Sequence, residues 1–270
     1  MSQELRQNLV AKMNNALELK RHIVGVRFIK NEEEFAACKS QPVVYRMPYC
    51  VMVKSASVGH ALKARPDNMG CFGAARALGM REIPDSYLSG EDYMKLGIFN
   101  DQAVSKRVVD NIAICPNNPY GIEVAALELM EEEPDVVIIV SMPYNVMRVI
   151  QGYNYYNGTY SNYRIGGLQA MCAEATAYPY TSGNINVTMM CAGTRMLCKW
   201  DRSELAVAMP YNKFETTVEG ILKTIDPLER DGDKARIENN LANAGLEPIE
   251  IHYGKNYDTK HYLFGKNGLV

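Results

Sequence analysis

Seven cysteines carry most of the chemistry this chain offers: Cys38, Cys50, Cys71, Cys115, Cys172, Cys191 and Cys198. Two of them share a local pattern. Cys71-Phe72-Gly73-Ala74-Ala75-Arg76 and Cys191-Ala192-Gly193-Thr194-Arg195 each offer a thiol, a glycine two residues on and an arginine shortly after. A thiol where a helix begins is favoured as thiolate by free backbone N–H groups, and a guanidinium nearby adds to that. The glycine lets backbone approach a ligand closely. Cys71 and Cys191 are therefore the candidate primary ligands or reactive thiols. The competing explanation, a small buried hydrophobe, stays open for both and is the expectation for Cys38, Cys115 and Cys198.

Four thiolates from Cys50, Cys71, Cys172 and Cys191 would suit an iron–sulfur cluster, and a tetrapyrrole-type redox group is the neighbouring reading. Arg46, Arg76 and Arg195 would then hold negative charge on the ligand, beside the backbone of Gly73 and Gly193. Two other classes compete. One is a metal-free thiol enzyme with Cys71 or Cys191 as nucleophile, in which His60 is the available imidazole. The other is a non-catalytic binding or assembly protein that meets its partner through the loop Tyr153 to Tyr160. Whether the chain is an enzyme at all stays open on these residues.

Several classes are disfavoured. An odd number of cysteines, spacings that match no disulfide scaffold and a polar start (Met1-Ser2-Gln3-Glu4-Leu5) predict reduced thiols and a cytoplasmic protein. There is no CxxC and no HExxH, so ordinary structural zinc is not expected. Net charge is −2 and no basic cluster stands out, so no nucleic-acid partner is expected. The longest apolar strand-like run, Val136 to Val140, is far too short to span a membrane. Fifteen methionines and seventeen tyrosines beside six phenylalanines suggest an adaptable core and suit anaerobic redox metabolism. The expected partner is a small molecule or cofactor, and a homo-oligomer is compatible with the composition.

The elements that must position these residues are punctuated by Met-Pro-Tyr, at Met47-Pro48-Tyr49, Met142-Pro143-Tyr144 and Met209-Pro210-Tyr211. A degenerate version ends in Pro119-Tyr120. Proline suits a strand end or the first position of a helix, so each copy reads as strand, corner, helix. Tyr49, Tyr144 and Tyr211 are pocket candidates if the corners gather at one sheet edge, where α/β folds bind ligands. Helices are expected over 3–20, 51–63, 71–80, 122–132, 167–177, 214–225 and 233–245. Strands are expected at 23–29, 43–45, 111–115, 135–141, 184–190 and 204–208. Residues 153–163 read as a Tyr/Asn/Gly loop.

Strand, Pro-Tyr corner, Cys-x-Gly…Arg, strand and corner occur in that order twice. An internal duplication is therefore expected, with pseudo-repeats at about 20–132 and 133–226 inside one compact domain of residues 1–230. A C-terminal helix and Tyr/His-rich extension would occupy 231–270. The fold class is α/β or α+β, a mixed sheet with flanking helices.

With these motifs in hand, the chain resembles the uncharacterised family called domain of unknown function one hundred and sixty-nine, common in archaea and anaerobic bacteria. The resemblance rests on Val24-Gly25-Val26-Arg27-Phe28, Arg46 and Cys50, the run Cys71 to Gly79, Pro134-Asp135-Val136-Val137, Met147 to Gln151, and Cys191 to Arg195. It covers residues 5 to 225. Where the family commonly has glutamine after the early cysteine, this chain has Val51. The resemblance implies no reaction and supports cysteine-centred ligand binding by association alone.

Overall fold

The run Val136 to Val140 is apolar at every position because both of its faces are covered. Val136, Ile138 and Val140 enter one core, and Val137 and Ile139 enter a second on the opposite side. The computed structural model describes residues 1–159 and 161–246. Its strands are β1 (Val24–Ile29), β2 (Gln41–Pro42), β3 (Ala61–Ala64), β4 (Gly121–Ala126), β5 (Val136–Ser141), β6 (Asn186–Thr188) and β7 (Leu205–Pro210). They form one mixed sheet in the order β2-β3-β4-β1-β5-β7-β6. Only β2 and β3 pair in parallel; the other neighbours are antiparallel.

Helices cover both faces, which makes the protein a three-layer α/β fold. On the first face lie Tyr49–Ala56, Phe72–Ala77, Ala170–Ala177 and Ala192–Cys198. The second face carries Gln3–Leu17, Pro143–Asn157, Phe214–Lys223 and Asp231–Asn243. Asp231–Asn243 sends Ile237 and Leu241 into the same core as the N-terminal helix. The Tyr/His-rich segment 249–270 lies outside the described residues, as does Tyr160.

The structure corrects several expected elements. The segment 122–132 is not a helix: β4 and a short 3₁₀ turn, Leu127–Leu129, occupy it. Ile122 and Val124 enter the first core, Ala125 and Leu127 the second, so full burial on both faces mimics helical spacing. No strand forms at 111–115, and at 43–45 the chain is already past the two-residue β2, with Val44 and Tyr45 exposed. The helix expected over 51–63 ends at Ala56, and β3 follows. The expected Tyr/Asn/Gly loop begins as helix, since Pro143–Asn157 runs through Tyr153, Tyr155 and Tyr156. Pro143 does start that helix, as its fixed φ favours.

Candidate thiol site

Cys172 sits in the most unusual element of the fold. Ala170–Ala177 is a π-helix, in which Glu174 N–H reaches back five residues to Gln169 O at 3.3 Å. Such helices are rare and recur at functional sites. Gln169, which precedes it, takes a left-handed backbone conformation at φ 51° despite its side chain. Its buried amide donates to the Tyr87 hydroxyl at 2.8 Å and also to Tyr93. The Cys172 thiol donates to Gln169 O at 3.6 Å. Tyr49, buried at the start of its helix, ties to the same element through a 2.7 Å hydrogen bond with Thr176.

Around Cys172 the fold gathers the other cysteines singled out by the sequence. Burial pushes the Cys172 thiol well above its ordinary range, and Cys71, Cys191 and Cys50 are near enough to push it the same way. Three other helical segments thus bring a sulfur within electrostatic range of Cys172. Cys71 is exposed, Cys50 and Cys191 half-buried and Cys172 buried. Among the described residues, no three His, Cys, Asp or Glu side chains are arranged to hold a metal ion. The four thiols form an open set rather than a finished cage.

Local sequence explains much of this convergence. Met47 pairs with the segment before Cys71: Gly70 N–H donates to Met47 O and Met47 N–H to Asn68 O, both at 2.9 Å. A Cβ on Gly70 would stand 2.9 Å from the Met47 carbonyl carbon, so only glycine permits that approach. The first Met-Pro-Tyr therefore anchors Cys71 beside the helix that carries Cys50. Cys71 and Cys191 immediately precede the Phe72–Ala77 and Ala192–Cys198 helices. Met190, just before Cys191, is a second non-glycine residue with positive φ, at 65°. Backbone in this region is uncommon for a non-glycine residue and collects at functional sites.

The arginines and tyrosines expected at the ligand are mostly engaged elsewhere. Arg76 pairs with Asp92 at 3.1 Å and covers the Tyr87 ring at 4.9 Å. Arg195 caps the carbonyls of Met189, Asp201 and Glu204. Arg46 is exposed. Gly73 faces the Gln169 side chain, and in front of Gly193 there is open space. The three corner tyrosines do not gather. Tyr49 belongs to the first core, Tyr211 to the second, and Tyr144 opens a helix on the second face, where it donates to Glu229 at 2.5 Å. Burial and the Glu229 charge push the Tyr144 hydroxyl up to about 12. The helical tyrosines 153–156 also lie on the second face, with Tyr156 donating to Glu219 at 2.6 Å.

Sequence reasoning missed the residues around Cys198. Thr194 donates to the Cys198 sulfur at 3.7 Å, and Cys50 on the facing helix is near enough for the two thiols to act on each other electrostatically. Trp200 Nε1–H donates to Thr194 Oγ1 at 3.0 Å, and the Lys54 ammonium lies 4.2 Å over the Trp200 ring. A usable signal existed: Cys50 and Lys54, like Thr194 and Cys198, are four residues apart and so share a helix face.

A half-open cleft of about 800 Å³ lies elsewhere, lined by Arg27, Cys38, Ser40, Glu123 and Asp135 among others. Its buried polar groups satisfy one another: Arg27 donates to Glu123 at 2.8 Å and Ser40 to Glu123 at 2.6 Å. Its size alone gives it no chemistry, and the candidate site remains with the thiols.

Comparison with known proteins agrees with the sequence resemblance. A family profile described as DUF169, uncharacterised ArCR, matches residues 12–220. An uncharacterized protein of Methanocaldococcus jannaschii is 30% identical over 220 residues, covering 81% of this chain and 94% of that protein. No solved structure matches the chain. The matched span holds every cysteine of the chain, and the protein belongs to the DUF169 family.

Proposed function

We propose that the chain binds a soft cofactor or small ligand through Cys50, Cys71, Cys172 and Cys191, with an iron–sulfur type cluster as the first assignment. The observation that supports this reading is that Cys71, Cys191 and Cys50 each act electrostatically on Cys172, which sits in the π-helix. Thiolates are the ligands such clusters take. Phe72, Met189 and Met196, neighbours in sequence of Cys71 and Cys191, are exposed apolar side chains.

The same reading includes an internal duplication, which sheet order supports. Moving outward from the central β1–β5 pair, one side runs β1-β4-β3 and the other β5-β7-β6, all antiparallel. The Cys71 helix connects β3 toward β4, and the Cys191 helix connects β6 to β7. Cys50 and Cys172 each lie in the helical segment before the outer strand of their half. On this correspondence Cys50 matches Cys172, Cys71 matches Cys191, and the ligand sits near the pseudo-twofold axis.

Protein purified without oxygen is expected to absorb between roughly 400 and 420 nm, and Cys71→Ser to lose that band together with bound iron. A colourless, iron-free protein that takes up neither iron nor sulfide on reconstitution overturns the assignment. A metal-free thiol enzyme is the second reading, favoured by the accessibility of Cys71 and Cys191. Rapid iodoacetamide labelling of either at neutral pH supports it, and uniformly slow labelling counts against it.

A further inference from the structure

A second half-open cavity, of about 410 Å³, lies against the π-helix, and none of its lining residues is a cysteine. Its walls are mostly apolar, from Val104, Val108, Ile112, Ile165, Leu168 and Ala173, and Arg107 and Arg164 line it with them. We propose that it binds a small organic monocarboxylate, the carboxylate held by the two arginines and the hydrocarbon body laid on the apolar wall. The proposal goes beyond the thiol reading and does not depend on it.

The loop that carries Arg164 is built around a buried carboxylate. Glu174, in the π-helix, accepts from Gly166 N–H at 2.5 Å and Gly167 N–H at 3.0 Å, and its other oxygen accepts from the Thr188 hydroxyl. Gly167 has φ 66°, a backbone conformation open to glycine. Asn186, on β6 and 1% exposed, fixes the other end of this loop. It accepts from Arg164 N–H and donates to Arg164 O, both at 2.9 Å, and its amide also donates to Glu174 O at 2.8 Å. The backbone of Arg164 is thus tied to the sheet and to the π-helix at once. A residue held in this way loses little freedom when a ligand arrives.

The Arg164 guanidinium is placed as well. Its Nη1 donates to Asn111 O at 3.0 Å, and the group lies 4.8 Å from the centre of the Tyr178 ring. Asn111 and Tyr178 both line the cavity. Arginine carries five N–H donors in a planar fork, and among the described residues this side chain gives one. The remaining donors suit the two oxygens of a carboxylate. Arg107 comes from helix Gln102–Val109, and Asn111 donates to its carbonyl at 2.8 Å, so Asn111 connects the two arginines. Among the described residues neither arginine forms an ion pair. Asp101 caps that helix through Val104 N–H at 2.8 Å and accepts from Asn100 at 3.0 Å, while Asp110 pairs with Lys106 at 2.6 Å.

A cavity of this size, mostly apolar with a few placed polar groups, has the form of a small-molecule site. Glu174 is the one carboxylate in the lining and its oxygens are taken, so the guanidinium groups set the sign of the ligand. A bare oxyanion would leave the apolar wall in water, and a neutral hydrocarbon would leave the arginines unanswered. A carboxylate with a hydrocarbon body uses both.

The test is a ligand-observed NMR titration of metal-free, full-length protein with hexanoate, acetate, hexanamide and inorganic phosphate. Hexanoate is expected to bind about tenfold or more tighter than acetate, because its longer chain buries apolar surface. It is expected to bind about tenfold or more tighter than hexanamide, which keeps the shape without the charge. Arg164→Gln is expected to weaken hexanoate about tenfold, and Arg164→Lys to restore only part of that. Should Arg164→Gln disturb its loop, Arg107→Gln and Ile165→Ser, both at exposed positions, test the same cavity. The first is expected to weaken hexanoate and acetate alike, the second hexanoate alone. Phosphate binding as tightly as hexanoate, hexanamide matching hexanoate, or unchanged affinity in both glutamine variants overturns the proposal. Because the protein is metal-free and no cysteine lines the cavity, the outcome is independent of whether the cluster assignment stands.

Discussion

Glu174 is a carboxylate whose protonation is altered by its position. Its carboxylate accepts from the N–H groups of Gly166, at 2.5 Å, and Gly167, at 3.0 Å, and from the Thr188 hydroxyl. Burial nevertheless raises its pKa above the ordinary 4.5, outweighing those hydrogen bonds. The folded state therefore binds the proton more tightly than the unfolded chain. The stabilisation is complete below about pH 4 and is lost as pH rises through the raised folded value. Glu174→Gln removes this titration. Urea midpoints at pH 4, 5, 6 and 7 are expected to show the variant gaining on the native protein as pH rises; parallel profiles would sink the assignment.

Between elements, the closest packing in the second layer is a glycine contact. Helices Pro143–Asn157 and Phe214–Lys223 meet where a Cβ on Gly220 would stand 2.1 Å from Gly152 O. No side-chain rotation relieves a clash with backbone. Gly220→Ala must separate the helices and is expected to cost about 1–3 kcal/mol, by overpacking. Denaturant unfolding checks this: the midpoint falls while the slope holds. The thiol face is on the other side of the sheet, so its cysteine labelling pattern is expected to survive. A native-like midpoint would mean that the helices do not cross at these glycines. The π-helix belongs to the same scale. In it Thr176 donates to Met171 O at 2.7 Å and meets the Tyr49 hydroxyl.

Across the whole molecule, one buried ion pair ties the interior of the family-matched region to the chain that follows it. Arg148, fully buried, donates to Glu229 at 2.6 Å, to Thr224 at 3.0 Å and to Ile221 O at 3.0 Å. Arg148→Ala leaves Glu229 buried and unpaired, and is expected to cost about 3–5 kcal/mol. Arg148→Met with Glu229→Gln, which keeps volume and removes both charges, is expected to cost less. Equal loss in the single and double variants, by thermal or urea unfolding, would assign the effect to packing alone. No described helix is long and apolar enough to cross a membrane.

The sequence by itself determined the class of fold and the family. Alternating strands and helices require a layered α/β sheet, and motif order identified the family. Cys71 and Cys191 were legible as residues just before helices because short Cys-x-Gly…Arg segments mark where those helices start. Tertiary structure decided which face each element joins. It sent Tyr49 to one core and Tyr211 to the other, and it set Arg195 on backbone carbonyls. It also made β4 a strand where apolar spacing imitated a helix. Local pattern encodes which side of an element is apolar, but not which layer covers it. Cys198 is the clearest case: alone in sequence it is a small hydrophobe, and only helix packing brings Cys50 and Lys54 near it.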